Sequence, residues 1–178
     1  MAQYTDRKFG GLPCYPFCMN RVRAAFSIAF LAAGVAAFAS PQSIIAKKKQ
    51  EYRDSIKKKD VSWFKANTTD DYVEVGKTKT LTKAQALAQI NLLAMYTQTF
   101  QTIDTKVLSF TMQGKNAIVV TQSHLVATLK GAKGKPSLLE HSDKATELWV
   151  PSGSTYKLKK TTDIFDKTTI NGKPYGAQ

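Results

Sequence analysis

Cysteine is nearly missing from this sequence of 178 residues: Cys14 and Cys18 are the only two, and nothing after residue 18 can form a disulfide, attack as a thiol or hold zinc through sulfur. Histidine is as scarce, with His124 and His141 alone, so a transition-metal site would need a mixed set of His and carboxylate ligands for which no motif is present. Phosphate loops are missing too. Gly76-Lys77-Thr78 copies the end of one, but Asp71 stands where its first glycine belongs, and Gly134-Lys135-Pro136 has proline in place of Ser or Thr. No Gly-x-Ser-x-Gly elbow and no internal repeat occurs. No metal and no cofactor is expected on these grounds.

Long apolar runs are rare as well, and there is one. Ala24 to Ala39 is apolar or glycine except for Ser27, follows the basic Arg21-Val22-Arg23 and ends in Ala37-Phe38-Ala39. A positive start, an apolar middle and a small-x-small exit make a signal peptide, and the run is shorter than the roughly 20 residues of a spanning helix. Residues 1–39 are therefore expected to be a leader, cleaved near Ala39, with the pattern of a translation start at Met19. Residues 40–178 form a single domain, secreted or periplasmic, that contains no cysteine.

Acidic residues are in the minority. Arg7, Lys8, Arg21, Arg23 and Asp6 precede Ser40, which leaves 22 of the 26 basic and 12 of the 13 acidic residues in the domain, a net charge of about +10. Lys47-Lys48-Lys49 and Lys57-Lys58-Lys59 bracket a helix expected over Ile44 to Lys59, with Ile45, Tyr52 and Ile56 on one stripe. These lysines read as a solvated face, with weak attraction to anionic surfaces as the alternative. The lack of interleaved aromatics argues against single-strand binding, and no specific nucleic acid is expected.

The rest of the first half continues with a short apolar turn at Val61-Ser62-Trp63-Phe64, a strand at Tyr72 to Val75, and a second long helix from Thr82 to about Thr97. That helix opens with the capping box Thr82-Lys83-Ala84-Gln85. Ala84, Leu87, Ala88, Ile90, Leu92, Leu93, Ala94 and Met95 cover most of its circumference, which predicts cover on more than one side. The second half alternates with period two: strands are expected at Val107 to Met112, Ala117 to Leu129, Leu138 to Val150 and Thr155 to about Asp166, joined by hairpin-length turns. Helices followed by a meander define an α+β domain with the helices laid across an antiparallel sheet.

That order, with the phrases Lys59-Asp60-Val61-Ser62-Trp63-Phe64, Thr69 to Tyr72, Leu81 to Lys83, Gly114 to Val119, and Trp149 and Tyr156 around Pro151-Ser152-Gly153-Ser154, resembles the nuclear transport factor 2-like superfamily, in its SnoaL-like and ketosteroid-isomerase-like branches. The resemblance implies a cone-shaped fold: N-terminal helices packed on a strongly curved antiparallel sheet, a pocket between them, and often a homodimer built from sheet surfaces. Members include isomerases, cyclases, dehydratases, hydrolases and proteins that only bind, so the fold does not choose a reaction.

No catalytic constellation of that family maps onto this chain residue by residue. Strand period two does place His141, Asp143, Glu147 and Trp149 on one face, where a His beside carboxylates can work as an acid–base group; the alternative is a solvent or interface face. His124 shares a face with Ile118, Val120 and Val126 and is either a third catalytic candidate or a core or interface histidine. Trp63, Tyr72, Met95, Glu147 and Trp149 are the candidate ligand-binding residues, and Asp70 and Asp71 are turn and capping groups. Three functions stay open: an exported domain that binds a small apolar or amphipathic ligand or serves in assembly, without catalysis; an isomerase, dehydratase or hydrolase; and a basic module adhering to anionic envelope polymers.

Overall fold

Ser40 starts helix α1 (Pro41–Lys57): its hydroxyl accepts the Ser43 amide at 3.2 Å, and Pro41 occupies the first turn, where a missing N–H leaves no bond unmade. The computed structural model describes residues 39–131 and 135–175; residues 1–38 of the expected leader lie outside the described residues. Lys59 closes α1 with a φ of 59°, while the Asp60 amide reaches the Ser55 carbonyl at 2.8 Å and the Lys59 amide reaches Ile56 at 2.9 Å. These two bonds satisfy the Ser55 and Ile56 carbonyls in the last turn of the helix. The Lys59 ammonium then donates to the Thr97 carbonyl at 2.6 Å, tying the end of α1 to the beginning of the third strand.

The apolar stretch expected as a turn is a short helix, α2 (Ser62–Asn67), which buries Phe64 edge-on against Tyr72 with ring centres 5.2 Å apart. Strands β1 (Thr68–Val75) and β2 (Thr80–Thr82) follow, then helix α3 (Lys83–Tyr96). Thr82 caps α3 with the reciprocal bonds its sequence announces: Gln85 Oε1 accepts the Thr82 amide at 2.9 Å and Thr82 Oγ1 accepts the Gln85 amide at 3.4 Å.

Four long strands complete the chain: β3 (Thr97–Gln113), β4 (Asn116–Leu129), β5 (Ser137–Ser152) and β6 (Thr155–Ile170), with the short β7 (Lys173–Pro174) on β6. The sheet order is β2-β1-β6-β5-β4-β3. All pairings are antiparallel except β1 with β6, which is parallel. The sheet curves around the helices without closing, as the α+β cone expected from the sequence does. Strand β3 begins ten residues earlier than its apolar alternation suggests, because Thr97 to Lys106 is mostly Thr and Gln, β-prone but polar, as suits an edge.

The core lies between the helices and the inner face of the sheet. Ile45, Phe64, Tyr72, Ala86, Ala117, Val119, Trp149 and Leu158 form it, with Tyr52, Trp63, Leu87, Ile90, Phe110 and Tyr156 packed around them. Helix α3 departs from expectation: only Ala86 is buried, while Leu92, Met95 and Tyr96 are each about half exposed. The sheet covers one side of this helix, and no described element covers the other.

Candidate functional site

Strand pairing lines up polar side chains on the inner face in rows. Thr105, Ser123, Asp143 and Asp166 are register partners across β3 to β6, and Thr121, Ala145 and Asp163 form the next row. Glu147 stands two positions beyond Ala145 on the same face, opposite Val119 and Thr161. One end of this face is sealed and the other is open.

At the sealed end Glu147 is 5% exposed and Trp149 is fully buried. The Glu147 carboxylate pairs with the Lys49 ammonium of α1, accepts the Trp149 indole N–H at 2.9 Å and accepts the Thr121 hydroxyl at 3.4 Å. A buried carboxylate needs this many partners to stay ionised without a large desolvation penalty. Tyr52, one helical turn after Lys49, stacks obliquely on Trp63 at 4.9 Å, and burial pushes its phenol well above the usual range, with Glu74, Glu147 and Asp143 adding to the effect. Tyr72 is shifted the same way by burial, and its hydroxyl donates to Thr161 Oγ1 at 3.0 Å.

Toward the open end His141 is grouped with four carboxylates, Asp143, Asp166, Asp163 and Glu74. His141 Nε2 lies 3.7 Å from Asp143, and Nδ1 lies 2.9 Å from Thr168 Oγ1 and 3.4 Å from Asp166. The imidazole thus has a carboxylate at each ring nitrogen. Burial raises the Asp143 carboxyl above its usual range despite the opposing pull of His141, Ser123 and Lys49. Burial likewise raises Glu74, helped by repulsion from Asp163 and Asp143, and raises Asp163, helped by Asp166 and Asp143. Among the described residues neither Glu74 nor Asp163 makes an ion pair. An otherwise basic domain therefore concentrates mutually repelling acids at one end of its inner face.

This arrangement fixes the direction of the pH dependence. Asp143, Glu74 and Asp163 each titrate higher in the folded chain than at the unfolded value of about 4, so above that value the native state holds more protons and stability falls as pH rises. Asp60 and Asp71, fully exposed, are shifted down by hydrogen bonds from Ser62 and Lys159 and act only below the usual carboxylate range. Calorimetry is expected to give a higher Tm at about pH 5 than at about pH 7.5, and a flatter dependence for Asp143→Asn. A Tm that falls on acidification over that interval by the same amount in both proteins contradicts this account.

The candidates named from sequence separate clearly. His141, Asp143, Glu147, Trp149 and Tyr72 come together on the inner face. His124 stands on the outer face, exposed, opposite Asp104 and 2.9 Å from Ser142 Oγ, and does not meet the acid group. Met95 is 54% exposed on α3, and Trp63 is half-buried with its N–H on Glu51 at 3.3 Å. Lys49, Tyr52, Glu74 and Asp163 belong to the group although the sequence reading did not place them in it. Of the α1 lysines, Lys48 is turned to Asn67, Lys49 to Glu147 and Lys59 to Thr97, which leaves Lys47, Lys57 and Lys58 on the solvent side. Two cavities lie elsewhere: one of about 10 Å³ between α1 and α3, room for a single water, and an open depression of about 370 Å³ lined by Glu51, Asp54, Asp60 and Trp63 among others. Neither reaches the acid group, whose sealed end is roofed by Lys49. Among the described residues no cluster has the makings of a metal site, and no helix is long and apolar enough to cross a membrane.

No protein-family profile and no curated protein matches the chain. Solved structures do. A scytalone-dehydratase-like protein from Novosphingobium aromaticivorans aligns over 76% of this chain and 87% of its own length with a TM-score of 0.58 at 12% identity. A nuclear transport factor 2-like protein from Cytophaga hutchinsonii aligns over 70% and 97% with a TM-score of 0.53 at 10% identity. One of the same superfamily from Salmonella enterica aligns over 67% and 86% with a TM-score of 0.53 at 12% identity. Helices cupped by a curved, open, mostly antiparallel sheet define a class of α+β cones. The domain has the nuclear transport factor 2-like fold, as its order of elements indicated.

Proposed function

We propose that this is an exported domain that binds a small amphipathic molecule at the open end of its inner face, the apolar part lying toward Tyr72 and Tyr52 and a hydrogen-bond-donating or cationic part meeting Asp143, Glu74 and Asp163. The observation that carries this reading is the set of partly buried carboxylates that repel one another, two of them without an ion-pair partner; a fold keeps such groups where a ligand or a reaction needs them more readily than for stability. Export rests on the pattern from Arg21 to Ala39. A second reading, an acid–base enzyme, is favoured by one contact: Asp143 with a raised carboxyl pKa beside His141, whose other nitrogen is held by Thr168. Fold neighbours named as dehydratases fit that reading without choosing its substrate.

Native mass spectrometry of the gently purified protein tests the binding reading. An added mass lost on denaturation, and lost from Asp143→Asn with its fold intact, is the expected result. A clean mass for the unsubstituted protein, together with no uptake of amphipathic amines from a small panel, overturns it.

A further inference from the structure

Helix α3 is apolar around most of its circumference, a pattern that calls for cover on more than one side, and the fold supplies it on one. Ile90, Leu93 and Ala94 meet the end of α1 and Phe100 around the cavity that holds a single water. Leu92, Met95 and Tyr96 lie away from it and are 51%, 54% and 52% exposed. After Lys83 the helix carries no charged residue, in a chain of which 22% is charged. Its outer face can therefore leave water without stripping an ion of its hydration.

The surroundings of this face are basic. The Lys59 ammonium donates to the Thr97 and Gln98 carbonyls at 2.6 and 3.3 Å, which sets the end of α1, with Lys57 and Lys58, beside the end of α3. From the other side the Lys130 amide donates to the Tyr96 carbonyl at 2.7 Å, and the Lys135 backbone lies against Gly131 at the base of the β4–β5 connection. Lys57, Lys58, Lys130 and Lys135 are exposed, and among the described residues none of them makes an ion pair. Asp60 is the one acid in residues 57–60, 91–103 and 125–139, the segments that meet here.

A small apolar tip ending in a tyrosine thus stands between two pairs of free lysines. A protein partner fits it badly, since three half-exposed side chains offer a few hundred Å², short of the roughly 800 Å² per partner of a stable protein interface. An anionic bilayer fits both parts. Leucine and methionine enter the boundary between headgroups and acyl chains, tyrosine sits at headgroup level, and each lysine near the surface adds attraction to the lipid phosphates.

We propose that this end of the domain docks on an anionic phospholipid bilayer, with Leu92, Met95 and Tyr96 seated at the headgroup–acyl boundary and Lys57, Lys58, Lys130 and Lys135 on the lipid phosphates. The hold is peripheral: it needs both the apolar tip and the lysines, and neither alone suffices.

Residues 40–178 contain every described helix and strand and the whole core, so the domain is tested without its leader, a form that has no cysteine. Flotation with vesicles of phosphatidylglycerol and phosphatidylcholine is expected to carry the domain, and flotation with phosphatidylcholine alone is not. Leu92→Gln/Met95→Gln, at exposed positions outside the core, is expected to weaken binding about 10-fold or more with an unchanged circular dichroism spectrum. Lys57→Gln and Lys130→Gln are expected to weaken it about fivefold each. A nitrobenzoxadiazole label on Met95→Cys is expected to brighten and shift to the blue on anionic vesicles. The same label on Lys115→Cys, in the hairpin at the far end of β3, is expected to stay unchanged. No binding to anionic vesicles, binding that ignores either the lysines or the Leu92/Met95 pair, or self-association abolished by Leu92→Gln/Met95→Gln in place of vesicle binding overturns the proposal.

Discussion

Replacing Lys49 with Met is expected to destabilise the domain by about 3–5 kcal/mol, the usual cost of leaving one member of a buried ion pair alone. Both side chains are enclosed, the lysine 13% and the glutamate 7% exposed, so water cannot replace the lost ammonium at Glu147. The Trp149 and Thr121 donors remain, and they are too few to hold a full charge at that depth. Adding Glu147→Gln to Lys49→Met removes the stranded charge and is expected to recover a large part of the loss. Urea unfolding of the two single variants and the double variant measures the coupling between them. Additive effects of the two substitutions would mean that the pair contributes nothing as a pair.

Trp149→Ala is expected to be as severe, again about 3–5 kcal/mol, for a different reason. The indole is fully buried and its register partners are Ala117, among the smallest side chains of the core, and Leu158, neither large enough to fill the space it would leave. Trp149→Phe separates the two roles of the side chain. It keeps most of the apolar volume and removes the N–H that Glu147 accepts, and its cost is expected near 1–3 kcal/mol, the price of one unmade bond to a buried charged group. In the Lys49→Met/Glu147→Gln background the penalty for Trp149→Phe should shrink, since a neutral amide depends less on that donor. A Trp149→Phe variant as stable as the unsubstituted protein would show that the indole serves only as volume.

Residues of the acid group differed in how legible they were. His141, Asp143, Glu147 and Trp149 were visible because a strand has a strict period of two, and the burial of β5 follows that period through its second half. The same rule, applied to β1, would have put Glu74 beside the buried Tyr72. Lys49 was available from the helical period: it lies four residues after Ile45 and three before Tyr52, inside the stripe assigned to the core. A lysine within an apolar stripe announces a buried partner, but its identity, Glu147 about a hundred residues away, depends on how the helix lies across the sheet. Asp163 could not be found by periodicity, because the register slips between Lys144 and Ala145 and shifts β6 by one residue there.

By itself, the sequence determined the local elements: the capped starts of α1 and α3, the hairpin turns at Gly114 and Gly153, the four long strands and their order as an α+β meander. These follow from caps, turn residues and periodicity, which act over a few neighbouring positions. The tertiary structure alone decided that β1 runs parallel to β6, that Lys49 reaches from α1 onto the inner face to pair with Glu147, that His124 faces outward while His141 meets two aspartates, and that α3 leaves Leu92, Met95 and Tyr96 uncovered. Those outcomes depend on which faces meet after the chain has closed loops of up to a hundred residues, and on single-residue slips that invert a strand's faces, neither of which leaves a mark on neighbouring letters of the sequence.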